Sequence, residues 1–113
     1  MAISLGHDQV VTAVHAGDHA IYPDCRPEFI DALNEAIALG TEDAVHISAP
    51  FVHVSKTQIA AIGADLDAPF ELSWSCYEGG ALHCGRCGTC TERIEAFRDS
   101  GVPDPTVYQS QAA

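Results

Sequence analysis

An α/β fold with a parallel sheet, ending in a four-cysteine knuckle and a helix, is the class that this sequence predicts. Three observations predict it. Two short apolar runs, Gln9 to Val14 and Val45 to Ala49, are each followed by apolar residues at helical spacing. That alternation of strand and helix implies parallel pairing through right-handed crossovers. Four cysteines, Cys76, Cys84, Cys87 and Cys90, then crowd into one short stretch, as metal ligands do.

The elements follow in order. Gln9 to Val14 is a nearly continuous β-branched run after polar His7-Asp8, the pattern of a strand buried on both faces, and it ends at His15-Ala16-Gly17. From Pro27 to Leu39, the residues Phe29, Ile30, Leu33 and Ile37 fall on one helical face, with Pro27 near the start and Gly40 just past the end. Val45 to Ala49, between Asp43 and Pro50, is a second strand. Ser55-Lys56-Thr57-Gln58 has the S-x-x-Q form of a capping box, in which both side chains satisfy orphan N–H groups, so a helix starts there. Ile59, Ile62 and Leu66 are its expected buried stripe and Pro69 its stop. A last helix from about Cys90 to Ser100 places Ile94 and Phe97 on the face of Cys90, with Gly101 and Pro103 as terminators. The expected organisation is an α/β segment over 1–72, a knuckle and terminal helix over 73–105, and an extended or disordered tail over 106–113.

A chain of 113 residues has room for one small core, which a metal crosslink would reinforce. Its 5 Lys and Arg against 16 Asp and Glu give a net charge of −11. That charge repels phosphate backbones and anionic membranes, so no direct nucleic-acid or membrane partner is expected. The start, Met1 to Gly6, has neither a basic region nor a long apolar run, and the expectation is a cytoplasmic protein. In that reducing compartment clustered cysteines favour metal over disulfides.

The spacing Cys76-x7-Cys84-x2-Cys87-x2-Cys90 contains two x2 gaps of the kind that fold around a tetrahedral metal. Gly79, Gly80, Gly85 and Gly88 lie between the ligands, where a tight knuckle needs positive φ or has no room for side chains. Four thiolates would fill the coordination of one zinc and leave no position for water, so the expected role is structural. An iron–sulfur cluster, a redox thiol set and plain buried cysteines are the competing readings. His83 is an alternative ligand beside Cys84.

At this point the residues carry a resemblance. His15-Ala-Gly-Asp18-His-Ala-Ile-Tyr22-Pro-Asp24-Cys-Arg26-Pro-Glu28-Phe29, Pro50-Phe51 with Ser55-Lys56, Ser73-Trp-Ser-Cys76-Tyr, the Cys84-Gly-Arg-Cys87-x-x-Cys90 knuckle and Gly101-Val-Pro-Asp104-Pro105 span nearly the whole chain. Together they resemble the 7-cyano-7-deazaguanine synthases, queuosine-pathway enzymes of the PP-loop ATP pyrophosphatase superfamily. The resemblance implies an adenine nucleotide α-hydrolase-like domain and a ligase that uses ATP to join 7-carboxy-7-deazaguanine and ammonia into the nitrile. It also implies a four-cysteine zinc site, in agreement with the spacing. Such enzymes carry a Ser-Gly-Gly-x-Asp-Ser loop that cradles ATP phosphates. These 113 residues contain none and match the family's C-terminal half. The chain alone is therefore expected to be inactive, as a truncation or as a natural half completed by a separate N-terminal chain. A zinc-stabilised, non-catalytic binding or assembly module derived from the enzyme is the alternative. A bare sheet edge predicts a homo-oligomer or an obligate partner.

Outside the knuckle, the segment with His15, Asp18, His19, Tyr22, Asp24 and Arg26 follows the C-terminal end of the first strand, where ligands sit in open parallel sheets. Arg26 suits a substrate carboxylate, and Asp18 or Asp24 an N–H edge of a 7-deazapurine. The competing reading has Asp24 capping the helix at Pro27 and Arg26 paired with a neighbouring carboxylate. His15, Asp18 and His19 also have the look of a second metal site, though the resemblance explains them as a loop. Lys56, the only lysine, stands at a helix start, which suits phosphate, or is simply an exposed helical lysine. Cys25 at a helix N-terminus is either a reactive thiolate or an inert buried thiol. Trp74 is read as a lid over the knuckle rather than a base-stacking platform.

Overall fold

The computed structural model describes residues 1–109. The chain forms two compact units, Met1–Ser55 and a second that begins at Lys56. Residues 56–72, which the sequence pattern groups with the sheet, belong to the unit that carries the cysteines.

In the first unit, one turn of 3-10 helix at Ile3–Leu5 closes on Gly6, whose φ of 76° supplies the left-handed cap. Strand β1 (Gln9–Val11) pairs in parallel with β2 (His46–Ser48), Val10 lying opposite Ile47. Both strands are shorter than the apolar runs that contain them. Past β1 the chain stays tied to its neighbours, with the Thr12 N–H donating to the Ser48 carbonyl at 2.9 Å and the Ala16 N–H to the Val54 carbonyl at 3.0 Å. The expectation that β1 is buried on both faces is not met: Val10 is 43% and Val11 63% exposed. The physical reason is that α1 packs chiefly on β2, so among the described residues little covers the faces of β1.

Helix α1 (Pro27–Gly40) connects the two strands. Pro27 opens it, where the missing N–H has no intrahelical partner to lose. Gly40 is its last residue rather than its cap, and Thr41 performs the capping. The Thr41 hydroxyl donates to the Ile37 carbonyl at 2.7 Å and accepts the Val45 N–H at 3.2 Å. Of the expected apolar face Ile30 is buried, while Phe29 is 42% exposed. Asn34 ties the helix to the sheet: its Oδ1 accepts the Ile47 N–H at 2.7 Å.

In the second unit, α2 (Lys56–Asp65) starts one residue after Ser55, where the capping box places it. Its buried residue is Ala60, and not the stripe read from the sequence, since Ile62 is exposed and Leu66 is 75% exposed. The cause is α3 (Gly88–Ser100), which packs on α2 through Ala60, Ala96 and Phe97, with Phe70 and Val102 against that cluster. Small residues in the contact bring the helices together. Phe70 meets Phe97 edge-on, with ring centroids 5.0 Å apart and planes at 90°, the arrangement that ring quadrupoles favour. The Arg93 guanidinium lies over the Phe97 ring at 5.1 Å. Helix α3 ends at Gly101, whose φ of 71° forms the left-handed cap.

Gly63 on α2 faces the Phe70 ring so closely that a Cβ would stand 2.4 Å from its Cζ atom. Gly63→Ala should therefore lower the denaturation midpoint, by an equivalent of about 1–3 kcal/mol, despite the better helix propensity of alanine.

Of the expected tail over 106–113, residues 106–109 are described, and they bring Tyr108 into the interior at 2% exposure. Residues 110–113 lie outside the described residues. Among the described residues no helix is long and apolar enough to cross a membrane.

Candidate metal centre

The knuckle lies between the short turn Phe70–Leu72 and α3. Cys76 comes from an irregular segment, Cys84 and Cys87 flank a turn, and Cys90 sits in the first turn of α3. Gly85 makes the turn with φ of 73°, a left-handed conformation that a side chain would strain. The four Sγ atoms lie within 4.8 Å of one another. Cys76, Cys84 and Cys90 are buried and Cys87 is half-buried.

The dimensions distinguish a metal site from a disulfide. All four thiols are free. The Sγ atoms of Cys84 and Cys90 are 3.9 Å apart, well beyond a disulfide bond of about 2.05 Å. They match the edge of a tetrahedron, about 3.8 Å, for a metal–sulfur distance of about 2.3 Å. The donor set thus fits one soft, four-coordinate cation.

The sulfurs are supported by main-chain donors. The N–H groups of Arg86 and Cys87 point to the Cys84 sulfur at 3.4 and 3.2 Å, and that of Cys84 to the Cys76 sulfur at 3.4 Å. Such donors favour thiolate over thiol. The Thr89 hydroxyl, 3.3 Å from the Cys87 sulfur, leads the interactions that hold Cys87 down to about 5. The Cys84 N–H lowers Cys76 in spite of burial. Burial pushes Cys90 the other way, up to about 12, and the neighbouring sulfurs add to the rise. Thiolates this close repel one another, so a bound cation is what favours the fully ionised set.

His83 is not part of the sulfur group. Its Nε2 accepts the Ser75 N–H at 3.3 Å, and its ring lies 4.2 Å from that of Trp74 and 5.9 Å from that of Tyr108. Burial, followed by the charge of Arg93, lowers its pKa and so favours the neutral ring that can accept. Trp74 packs against the His83 ring, and its indole N–H donates to the Cys76 carbonyl at 2.9 Å.

Sequence reasoning missed the half-buried polar chain that holds the buried Tyr108. The Tyr108 hydroxyl donates to Asp104 Oδ2 at 2.7 Å, and the Thr106 N–H to Asp104 Oδ1 at 2.9 Å. Arg93 donates from Nε to the Thr106 hydroxyl at 2.6 Å and from Nη2 to the Phe70 carbonyl at 3.1 Å. Burial would raise the Asp104 carboxyl, but the bonds from Thr106 and Tyr108 hold it below the usual carboxylate range. Burial and then the Asp104 bond push Tyr108 up to about 12, which keeps it a donor. An aromatic residue in a presumed tail was the available signal.

The other candidates divide between the units. In the first, His15 Nε2 lies 3.1 Å from Asp18 Oδ2, and the His15 Nδ1 accepts the Gly17 N–H at 3.2 Å. Arg26 donates from Nε to the His19 carbonyl at 2.8 Å, a main-chain partner in place of the neighbouring carboxylate of the competing reading. Asp24 lies in the turn Pro23–Cys25 and does not cap α1, whose N-cap residue is Arg26 with no side-chain bond. Tyr22 is 44% exposed. His15, Asp18 and His19 do not form a three-ligand group among the described residues. The Cys25 thiol is pushed up by burial and then by Asp24 and Asp18, the reverse of a reactive thiolate. In the second unit, Lys56 Nζ pairs with Glu92 Oε2 at 2.6 Å, both side chains being partly exposed.

Comparison with known proteins agrees with the motifs. The family model described as "Queuosine biosynthesis protein QueC" matches residues 1–101. The 7-cyano-7-deazaguanine synthase of Paracoccus denitrificans (strain Pd 1222) is 54% identical over 111 residues, covering 96% of this chain and 48% of that protein. The synthase of Rhizobium meliloti (strain 1021) is 62% identical over 103 residues, covering 89% and 44%. That of Caldicellulosiruptor saccharolyticus is 52% identical over 108 residues, covering 96% and 48%. The chain spans about half the length of these curated relatives. With a match over residues 1–101 and a four-sulfur cluster able to hold a metal ion, the chain belongs to the QueC family of queuosine biosynthesis proteins.

Proposed function

We propose that this chain is the zinc-bearing C-terminal part of an ATP-dependent ligase that converts 7-carboxy-7-deazaguanine and ammonia to 7-cyano-7-deazaguanine. The observation that carries the reading is the buried four-sulfur cluster in a chain of the QueC family. One zinc per chain, held by Cys76, Cys84, Cys87 and Cys90, crosslinks the segment between residue 76 and the start of α3. With four thiolates it has no open position, so its role is structural.

Substrate contacts fall to Asp18, Tyr22, Asp24 and Arg26. Their support is positional: they follow the C-terminal end of β1, the side of a parallel sheet on which ligands bind. The Arg26 Nε is anchored on a carbonyl, which orients the guanidinium and leaves its outer nitrogens as a fork for the substrate carboxylate. One Asp18 oxygen orients His15, and the other remains for an N–H edge of the deazapurine. Lys56 would have to exchange Glu92 for a phosphate oxygen, so it is the weakest member of the set.

In the complete enzyme ATP adenylates the carboxylate and ammonia displaces AMP to give the amide; a second ATP adenylates the amide oxygen, and loss of AMP and the nitrogen-bound protons leaves the nitrile, while the phosphate loop comes from a sequence that these 113 residues do not contain. The exposed edge of β1 suits assembly with that half or with a second copy. Free, clustered cysteines suit the reducing cytoplasm.

The test is ammonia- and ATP-dependent nitrile formation, followed by mass spectrometry. This chain joined to the phosphate-loop half of a relative should form the nitrile, and the 113-residue chain alone should form none. In the joined protein Arg26→Ala should lower kcat/KM by about tenfold or more, the equivalent of one charged hydrogen bond. A folded, zinc-loaded joined protein that makes no nitrile would overturn the ligase reading.

A further inference from the structure

The proposed zinc site has a cover that its ligand geometry does not require. Tyr108 lies beyond α3, is 2% exposed, and shares one buried cluster with Cys76, Cys84 and Cys90. It is held there from three directions. Its hydroxyl donates to Asp104 at 2.7 Å, its backbone forms a parallel bridge with His83, and the next N–H, of Gln109, donates to the His83 carbonyl at 2.8 Å. Asp104 is fixed in turn by the Thr106 N–H, and the Thr106 hydroxyl by Arg93 of α3. The neighbours Pro105 and Val107 are exposed, so the segment lies on the surface and inserts one ring.

We propose that residues 104–109 form a strap that retains the metal, with Tyr108 as a positioning residue that sets how fast the ion is lost. The proposal rests on the zinc reading above. A thiolate site loses its metal when a competing ligand reaches the ion, and the layer around the ligands controls that access. Tyr108 packs in one cluster with the three buried ligands, Cys76, Cys84 and Cys90, while Cys87 is the half-buried ligand. Peeling the strap breaks the Arg93–Thr106 and Gln109–His83 bonds, withdraws the Tyr108 ring and exposes three sulfurs without unwinding α3. Metal loss thereby becomes a local opening, separate from global unfolding.

The experiment follows zinc transfer from the zinc-loaded protein to an excess of a colorimetric chelator. Tyr108→Ala should release zinc about tenfold faster than the parent or more, the size of effect that outer-layer residues have on bound metals. Asp104→Ala, which removes the bonds that shape the strap and hold the Tyr108 hydroxyl without emptying the core, should also release it severalfold faster. Val107→Ala, altering a side chain 59% exposed on the same segment, should release it at the parent rate. Global unfolding, read from the far-ultraviolet circular dichroism of the helices, separates the strap from general destabilisation: Asp104→Ala should speed zinc release more than it speeds unfolding. If Tyr108→Ala does not fold, Asp104→Ala decides. Parent-like release from folded, zinc-bearing Asp104→Ala, or release that only tracks unfolding, would overturn the strap. A parent protein that carries no zinc overturns the metal reading, and the strap with it.

Discussion

Stripping the metal, or replacing Cys90 with serine, should abolish the folded structure of the segment that begins at Lys56. Apart from the cysteines, the buried ones among the described residues of that segment are Ala60, His83, Ala96, Phe97 and Tyr108, a small core for two helices and a long irregular stretch. Structural zinc sites have apparent binding free energies of about 10–16 kcal/mol. Whole domains are stable by only about 5–15 kcal/mol. Loss of the ion therefore outweighs what the small core retains. In the proposed site Cys90 would be the decisive ligand, because it is 0% exposed and lies in the first turn of α3, so a serine there leaves a buried hydroxyl among thiolates. Circular dichroism during titration with a chelator should show the helical signal of α2 and α3 falling with the zinc. Added zinc should restore the parent and not Cys90→Ser. A metal-free protein with its full helical signal would contradict the crosslinking role.

Phe97→Ala should be the most damaging change away from the sulfurs. The ring is 4% exposed, meets Phe70 edge-on, carries the Arg93 guanidinium on its face, and fills the contact between Ala60 and Ala96. Neither alanine can expand into the gap, so the loss is that of a large buried aromatic with its cavity, about 3–5 kcal/mol. Chemical denaturation of the zinc-loaded protein, followed through Trp74, should show the lower midpoint. A change below about 1 kcal/mol, the usual range of surface substitutions and mild swaps, would contradict the central place given to this ring.

The sequence was most legible where local chemistry dictates structure. Ser55 and Pro27 marked helix starts, Gly101 marked a helix end, and the cysteine spacing marked the sulfur cluster, because capping and ligand geometry act over a few residues. Burial was less legible because it depends on neighbours distant in sequence. Val10 and Val11 have the pattern of an interior strand, yet α1 packs chiefly on β2 and leaves them exposed. Ile62 and Leu66 have the period of a core stripe, but the approach of α3 selects Ala60 instead. Tyr108 was hidden for the same reason. Nothing near it in sequence announces that it returns to the cysteines, and its partners His83 and Asp104 acquire their roles only in the folded chain. In the loop from His15 to Arg26 the residue types were legible and the partners were not, as the anchoring of Arg26 on a carbonyl illustrates.

The measurement that bears most directly on the central claim is X-ray absorption at the zinc edge of the purified protein, together with its metal content. The account predicts one zinc per chain with four sulfur neighbours at about 2.3 Å and no nitrogen or oxygen ligand. Iron with visible absorption, or a zinc shell containing a histidine nitrogen or a water, would contradict it.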